Sequence, residues 1–163
     1  EYAPDLATAY RRAREIKGEN ASLTCIPNGI SVVANAPEGA FPSAVRMQVR
    51  PVDARMVSSA VAGVLADDIV QIDAVEVTFL DEKDAAMDPQ VVISASAINE
   101  LAPQTGEGVE VVRIDGSGVA TVIDQTVITT GTDRAYFGID RGAIYALVVV
   151  QGHADADVGR HGR

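Results

Sequence analysis

Four carboxylates lie close together in the segment VEVTFLDEKDAAMDP, residues 75–89: Asp81, Glu82, Asp84 and Asp88. Clustered carboxylates can bind a divalent cation or take part in acid–base chemistry. A calcium loop of the EF-hand type also needs a central glycine and a distant bidentate glutamate between two helices. Here that glycine is missing, Lys83 lies among the acids, and both flanks alternate like strands. The pattern therefore favours a hydrated hairpin connection over a metal site.

The other side chains that could bind a metal or act as a nucleophile are scattered along the sequence. Cys25 is the only cysteine, which excludes an internal disulfide and favours a buried thiol on a strand. His153 and His161 lie beside Asp155 and Asp157 in a tail without periodicity, where ordering the ligands would cost entropy. The sequence has no Gly-x-Ser-x-Gly elbow, and its GSG is followed by a strand pattern rather than a helix. We therefore predict no catalytic, cofactor-binding or metal-ligating residue.

Composition and charge narrow the function classes. The chain has 163 residues, enough for one domain, and is 47% hydrophobic but only 4% aromatic, a balance that suits packed strands. Its net charge is −10, and residues 67–100 hold nine acids against Lys83 alone, so nucleic acid is not an expected partner. No apolar run is long enough to span a membrane. No signal peptide opens the sequence, which predicts a segment of a longer protein or one that is not exported.

Two segments have helical periodicity. In the first, about residues 4–17, the apolar positions Leu6, Ala9, Tyr10, Ala13 and Ile16 lie opposite three arginines, and Gly18 follows. In the second, residues 54–66, the apolar stripe comprises Met56, Val57, Ala60, Val61, Val64 and Leu65, with Asp53 as the cap. We expect this second helix to lie across an open end or face of the β-structure, with its stripe in the core.

From residue 21 onward the apolar period is two, the period of strands. Val75, Val77 and Phe79 should face inward, and Glu76 and Thr78 outward. Ten strands are predicted: residues 21–26, 30–36, 45–52, 74–80, 90–98, 109–114, 119–123, 125–129, 134–139 and 143–150. The strands are short and separated by turn residues, which predicts a mainly β chain folded as an antiparallel β-sandwich. The expected organisation is a helical segment at 1–19, a sandwich at 20–151 and a flexible tail at 152–163.

Four phrases, in order, resemble a β-sandwich module of Gram-positive multi-domain cell-wall surface proteins: APEGAFPSAVRMQVRPV (36–52), IDAVEVTFLDEKDAAMDP (72–89), VEVVRIDGSGVATVI (109–123) and IYALVVV (144–150). That module, found in Firmicutes and Actinobacteria, has a glycine where this chain has Asp84. A looser resemblance is to the sandwich shared by ankyrins, netrin receptors and zonula occludens proteins. Some of those relatives cleave themselves at a Phe-Ser bond, but Phe137 precedes Gly138 here, so cleavage is not implied.

The resemblance implies a non-enzymatic structural or spacer module of a secreted bacterial cell-surface protein, as a unit of a stalk or an adhesive array. Such a module would be extracellular, attached to the cell wall and monomeric. Its partners would be the neighbouring domains of the same polypeptide, and the family offers no catalytic residue or cofactor. The alternative is a binding module for a host glycan or protein, acting through loops 37–43, 81–88 and 99–108. A hydrolase or self-processing domain is the third class.

Overall fold

The computed structural model describes Arg11 and residues 31–98, 107–123, 127–128 and 134–151. These residues form nine strands and one complete helix, and every strand pairing is antiparallel. In chain order the elements are β1 (Ser31–Asn35), β2 (Arg46–Val52), α1 (Ala54–Ala62), β3 (Asp68–Leu80), β4 (Ile93–Ile98), β5 (Glu107–Ile114), β6 (Ala120–Val122), β7 (Val127–Ile128), β8 (Arg134–Ile139) and β9 (Ala143–Gln151).

The strands form two sheets. The four-stranded sheet has the order β1-β4-β8-β7, and the five-stranded sheet has the order β2-β3-β9-β5-β6. One core cluster joins residues of both sheets, including Ile93 and Phe137 from the first and Phe79 and Tyr145 from the second. The predicted antiparallel β-sandwich with one inserted helix is confirmed.

Alternation of apolar side chains builds the core between the sheets. Val75, Val77 and Phe79 on β3 are each at most 2% exposed, as predicted from their spacing. On the neighbouring strand β9, Tyr145 pairs with Val75 and also faces this core. Strands β3 and β9 thus each direct every second residue into the apolar layer between the sheets, and the burial of that layer stabilises the sandwich.

The period-two prediction fails for β9, because both faces of the five-stranded sheet are covered. All six residues from Tyr145 to Val150 are buried. Tyr145 and Leu147 face the four-stranded sheet, whereas Ala146 and Val148 belong to a second cluster with Val57 of α1. A strand buried on both faces needs a continuous apolar run rather than an alternating one.

The helix α1 covers the outer face of the five-stranded sheet and so forms a third layer of the fold. The Asp53 carboxylate accepts a hydrogen bond from the Arg55 amide at 2.9 Å, which caps the first turn as predicted. The helix ends at Ala62, four residues before the predicted end, because Gly63 closes it with bonds to the last carbonyls. Val57 and Val61 are buried, but Met56 is 81% exposed and Val64 lies beyond the helix, so the predicted stripe is too wide.

Other predicted boundaries shift or lie outside the described residues. β3 begins at Asp68 rather than at residue 74, and its register shifts between Ile69 and Gln71. The predicted helix at 4–17, the strand at 21–26 and the tail at 152–163 lie outside the described residues, apart from Arg11, which is helical and exposed. Within the described part, no helix is long and apolar enough to cross a membrane.

Candidate functional site

Four of the described connections lie at one of the two ends of the sandwich, which we call the loop end. Arg46 pairs with Leu80 there, and Ile114 pairs with Ile144. At the opposite end, which we call the linker end, Asp68 and Glu107 both pair with Gln151. The described connections at the loop end are residues 36–45, 81–92, 115–119 and 140–142. This end carries the clustered acids Asp81, Glu82, Asp84 and Asp88, so it is the candidate functional site.

Asp81 is committed to the backbone of its own turn. Its Oδ1 accepts hydrogen bonds from the amides of Lys83 at 2.8 Å and Ala85 at 2.9 Å. The Asp81 amide in turn donates to the Ala85 carbonyl oxygen. The turn closes on a bridge between Leu80 and Ala86, and the chain then crosses to the four-stranded sheet. The Asp81 side chain thus provides a hydrogen-bond acceptor for two backbone amides of this tight turn.

Asp84 lies at the one sterically demanding position of this turn. Its φ is +61°, and it is the only non-glycine residue with positive φ among the described residues. Glycine adopts this conformation at no steric cost, whereas other residues are disfavoured there. The Asp84 carboxylate accepts a hydrogen bond from the Arg46 guanidinium, which forms an exposed ion pair with it.

A second turn at the loop end, residues 115–119, repeats the same pattern. Asp115 Oδ1 accepts from the amides of Ser117 at 2.9 Å and Val119 at 3.0 Å, and the Asp115 amide donates to the Val119 carbonyl oxygen. Gly118 has the positive φ, +83°. The Ser117 hydroxyl also donates to Asp115 at 2.6 Å, and this bond is the main cause of a lowered pKa of the Asp115 carboxyl.

Asp88 joins two loops across the loop end. Its Oδ1 accepts a hydrogen bond from the Gly142 amide at 2.8 Å, 54 positions away in sequence. Nearby, the Gln90 amide donates to the Ala40 carbonyl oxygen at 2.8 Å, and the rings of Phe41 and Phe79 lie 5.1 Å apart. These contacts hold loops 36–45, 86–92 and 140–142 to one another.

An ion pair with a mostly buried arginine lies between the two sheets. Arg113 Nη1 on β5 donates to both oxygens of Asp140, at 2.7 and 2.8 Å, and Asp140 directly follows β8 of the other sheet. The Arg113 side chain is 16% exposed, and its Nε is buried without a hydrogen-bond partner. Arg141 donates to the same carboxylate. The pair therefore ties the two sheets together where they meet the loops.

The same ion pair sets two pKa values. Partial burial opposes ionisation of Asp140, but the hydrogen bonds and positive charges of Arg113 and Arg141 outweigh it, so the Asp140 pKa is lowered. Tyr145 is fully buried beneath the pair, and its hydroxyl donates to the Arg141 carbonyl oxygen at 2.8 Å. Burial raises the pKa of this phenol to about 12, so it stays neutral at any physiological pH.

Two shallow grooves lie between the loops. One, of about 350 Å³, has Ile114, Met87 and Ile144 in its wall and Glu76, Asp88 and Asp115 around it. The other, of about 320 Å³, lies beside Arg46 and Asp84. Nowhere in the described residues do three histidine, cysteine or acidic side chains converge as a metal site would require. Both grooves can accept water or a partner's side chain, and neither brings a nucleophile to a base.

The loops proposed for ligand binding do not all share one end. Loops 37–43 and 81–88 lie at the loop end, but Glu107 and Gly108, the described part of loop 99–108, pair with Gln151 and Val150 at the linker end. Among the described aromatic side chains only Tyr136 is exposed, and it lies on β8, away from both loops. The loop end therefore presents carboxylates rather than exposed rings.

Sequence reasoning missed the Arg113–Asp140 pair, although the signal was present. Val109, Val111 and Arg113 alternate along β5, so Arg113 had to lie on the inward face, where a charge needs a partner. Cys25, His153 and His161 lie outside the described residues.

Comparison of the chain with protein-family models, with curated proteins and with solved structures finds no match.

Proposed function

We propose that this chain is a non-enzymatic structural or spacer module of a bacterial cell-surface protein. It would be extracellular and attached to the cell wall, with its neighbouring domains as partners, and it would be monomeric. Support comes from the ordered resemblance of residues 36–52, 72–89, 109–123 and 144–150 to modules of that class. A sandwich with two buried apolar layers is the stiff body that such a role needs.

One observation carries the proposal: the loop-end acids with described contacts serve the fold itself. Asp81 and Asp115 bond to their own turns, Asp88 bonds to Gly142, and Asp140 bonds to Arg113. A carboxylate that acts on a substrate or cation must leave lone pairs directed at it. Here Oδ1 of Asp81, Asp88 and Asp115 accepts from backbone amides, and both oxygens of Asp140 accept from a guanidinium, as expected of turns that stabilise a structural body.

The location is tested with an antibody raised against residues 31–151, applied to intact and to permeabilised cells that make the protein. We expect equal labelling of both, and loss of the signal when intact cells are treated with an added protease. Labelling only after permeabilisation would contradict the proposal. Intact mass of the purified chain is the second readout, since self-processing would change it.

A binding module is the second candidate, and the placement of the chain connections favours it. Asn35 lies at the loop end, since it pairs with Ser94 next to Ile93 and Ile139, so β1 starts at the linker end with Ser31. β9 also finishes at the linker end, with Gln151. The chain therefore enters β1 and leaves β9 at the linker end, and the loop end lies at the opposite end, where a partner can reach it.

The carboxylates at the loop end fit a basic host-protein surface better than a sugar, because stacking on sugars needs exposed rings. Screening against host proteins and a glycan array separates the two candidates. Binding that weakens with salt and is lost in Glu82→Lys/Asp84→Lys, but kept in Asp68→Lys at the linker end, would establish the binding module. Absence of any hit, together with surface labelling, favours the spacer.

A further inference from the structure

The larger of the two grooves at the loop end lies on the outer face of the five-stranded sheet. Glu76, Ile144 and Ile114 form one row across three neighbouring strands of that face. Ile114 is buried in the apolar cluster that includes residues of α1, and Ile144 is half-buried against it. The groove has a volume of about 350 Å³ and is also lined by Gly116 and Gly142, which have no side chains to fill it. We call it the outer groove.

Three carboxylates line the outer groove, each from a different element: Glu76 from β3, and Asp88 and Asp115 from two separate loops. The described hydrogen bonds of Asp88 and Asp115 are made through Oδ1 alone. Glu76 lies opposite Arg50 of β2, but the Arg50 guanidinium donates to Gln48 instead. Each of the three carboxylates therefore keeps acceptor capacity for a further donor.

The placement of these carboxylates suits a guanidinium better than a metal ion. A divalent cation such as Ca²⁺ needs several oxygens within about 2.6 Å of one point, and no three acidic, histidine or cysteine side chains of the described part converge in that way. A guanidinium has five N–H donors spread over a planar fork, so it can bond to oxygens that lie apart. It is also more weakly hydrated than an ammonium, so placing it beside Ile114 and Ile144 costs less.

The charge of the loop end also favours a basic partner. Its four connections hold seven acids and two bases, and the strand ends beside them add Arg46 and Arg113, which leaves a net charge of −3. The positive charge of Arg141 acts on the groove carboxylates, including Asp115, but the hydrogen bonds of Arg141 are made to Asp140. A basic side chain that approaches this end is therefore attracted, and more strongly at low salt.

We propose that the outer groove binds an arginine side chain of a partner protein. The guanidinium bonds to Glu76, Asp88 and Asp115, and the methylene groups of the arginine pack on Ile114 and Ile144. This inference rests on the second candidate function, a binding module for a basic protein surface, and it names the groove and the residue type through which such a surface docks. The groove acids differ from those of the turn at 81–85, so the two sets can be tested separately.

NMR titration of the full chain with short peptides tests the proposal. The probe is an acetylated and amidated Gly-Arg-Gly peptide, and the control replaces its arginine with citrulline, which has nearly the same shape but no charge. At millimolar peptide we expect saturable amide shifts at Thr78, Gly116, Gly142 and Ile144, weaker shifts with a lysine peptide, and none with citrulline. Shifts that centre on residues 81–85, equal shifts with arginine and lysine, or no shifts with any peptide would each overturn the proposal.

Glu76→Gln is the matched variant, because glutamine keeps the size of this half-buried side chain and removes only its charge. We expect the affinity for the arginine peptide to fall about two- to fivefold, as for the loss of one exposed ion pair. Glu82→Gln is the control, since Glu82 lies at the loop end but outside the outer groove, and it should keep the affinity. Equal affinities of the wild type and Glu76→Gln would refute the groove.

The groove and the binding module can fail independently. A host protein that binds Glu76→Gln as well as the wild type, but not Glu82→Lys/Asp84→Lys, would refute the outer groove and leave the binding module standing. Arginine-specific shifts in the outer groove without any host-protein hit would support the groove and count against the binding module.

Discussion

Asp84 and Gly118 occupy the same position in two turns that share one hydrogen-bond pattern. In each turn an aspartate three residues earlier accepts two backbone amides, and the residue at this position has positive φ. The residue at this position differs, being aspartate in one turn and glycine in the other. The chain therefore contains its own control for the cost of a side chain in the left-handed conformation.

The first prediction concerns Asp84→Gly, made in an Arg46→Ala background so that the exposed ion pair does not contribute. Glycine removes the steric cost of positive φ but loosens the unfolded chain, so we expect a net gain of about 0.5 kcal/mol in the free energy of unfolding. Gly118→Ala should lose about 1 kcal/mol, since open space surrounds a Cβ there and only the backbone conformation opposes it. Urea unfolding measures both changes, and equal signs for the two variants would refute the equivalence of the turns.

The second prediction concerns the ion pair between the sheets. Asp140→Asn leaves the mostly buried Arg113 cation without its partner, so we expect a loss of about 1.5–3 kcal/mol near neutral pH. The Asp140 pKa is lower in the folded chain than in the unfolded chain. The contribution of Asp140 is therefore complete above the unfolded value of 3.8 and disappears as the pH falls through the lower, folded value.

Urea unfolding at a series of pH values checks that dependence. The difference between the wild type and Asp140→Asn should shrink once the pH falls below the unfolded pKa of the carboxyl. Asp68→Asn is the control, because Asp68 lies at the linker end and is exposed. A difference that stays constant down to the most acidic condition would show that the ionised carboxylate is not what stabilises the pair.

The third prediction is a titration of the helix cap. A hydrogen bond from the Arg55 side chain is the largest cause that lowers the pKa of Asp53, to about 2. Arg55→Ala removes this bond and the positive charge but keeps the amide bond of the cap, so the midpoint should move part of the way back toward 3.8. The carboxyl carbon shift of Asp53, followed by NMR, reports it. A midpoint unchanged by Arg55→Ala would rule out the side-chain contact.

The fourth prediction compares two neighbouring residues of α1. Val57→Ala removes buried methyl groups between the helix and the five-stranded sheet and should cost about 1–2.5 kcal/mol. Met56→Ala, one position away, should change stability by less than about 0.5 kcal/mol, because Met56 is 81% exposed. Thermal or urea unfolding distinguishes them. A similar loss of stability in both variants would contradict the prediction, because it would mean that the Met56 side chain is buried in a contact.

The fold was largely predictable because alternation along a strand reports which face is buried. That logic located Val75, Val77 and Phe79 on the inner face of β3. It could not specify β9, where a continuous apolar run is equally compatible with one covered face or two. The predicted apolar stripe of the helix was too wide for a related reason: Met56 has the helical spacing but is exposed, and a sequence alone does not show where the partner surface stops.

The loop-end contacts were less predictable, because each depends on residues distant in sequence. The bond between Asp88 and Gly142 spans 54 positions, and the pair of Arg113 with Asp140 spans 27. The local bonds of Asp115 within the turn DGSGV follow a known preference of aspartate for turns. The missing glycine in the turn at 81–85 was visible in the sequence, but the structure was needed to show that Asp84 adopts the glycine conformation unchanged.

In the proposed structural module, the loop-end carboxylates serve the fold rather than a cation. The most direct test is thermal unfolding of the full chain with a chelator and with millimolar Ca²⁺ or Mg²⁺. A cation whose free concentration is about one hundred times its dissociation constant adds about 2.7 kcal/mol to the free energy of unfolding. Binding would therefore raise the Tm by several degrees. We predict a Tm that agrees within about 1 °C in all three conditions. A rise with Ca²⁺ that disappears in Asp81→Asn/Asp84→Asn would contradict the account.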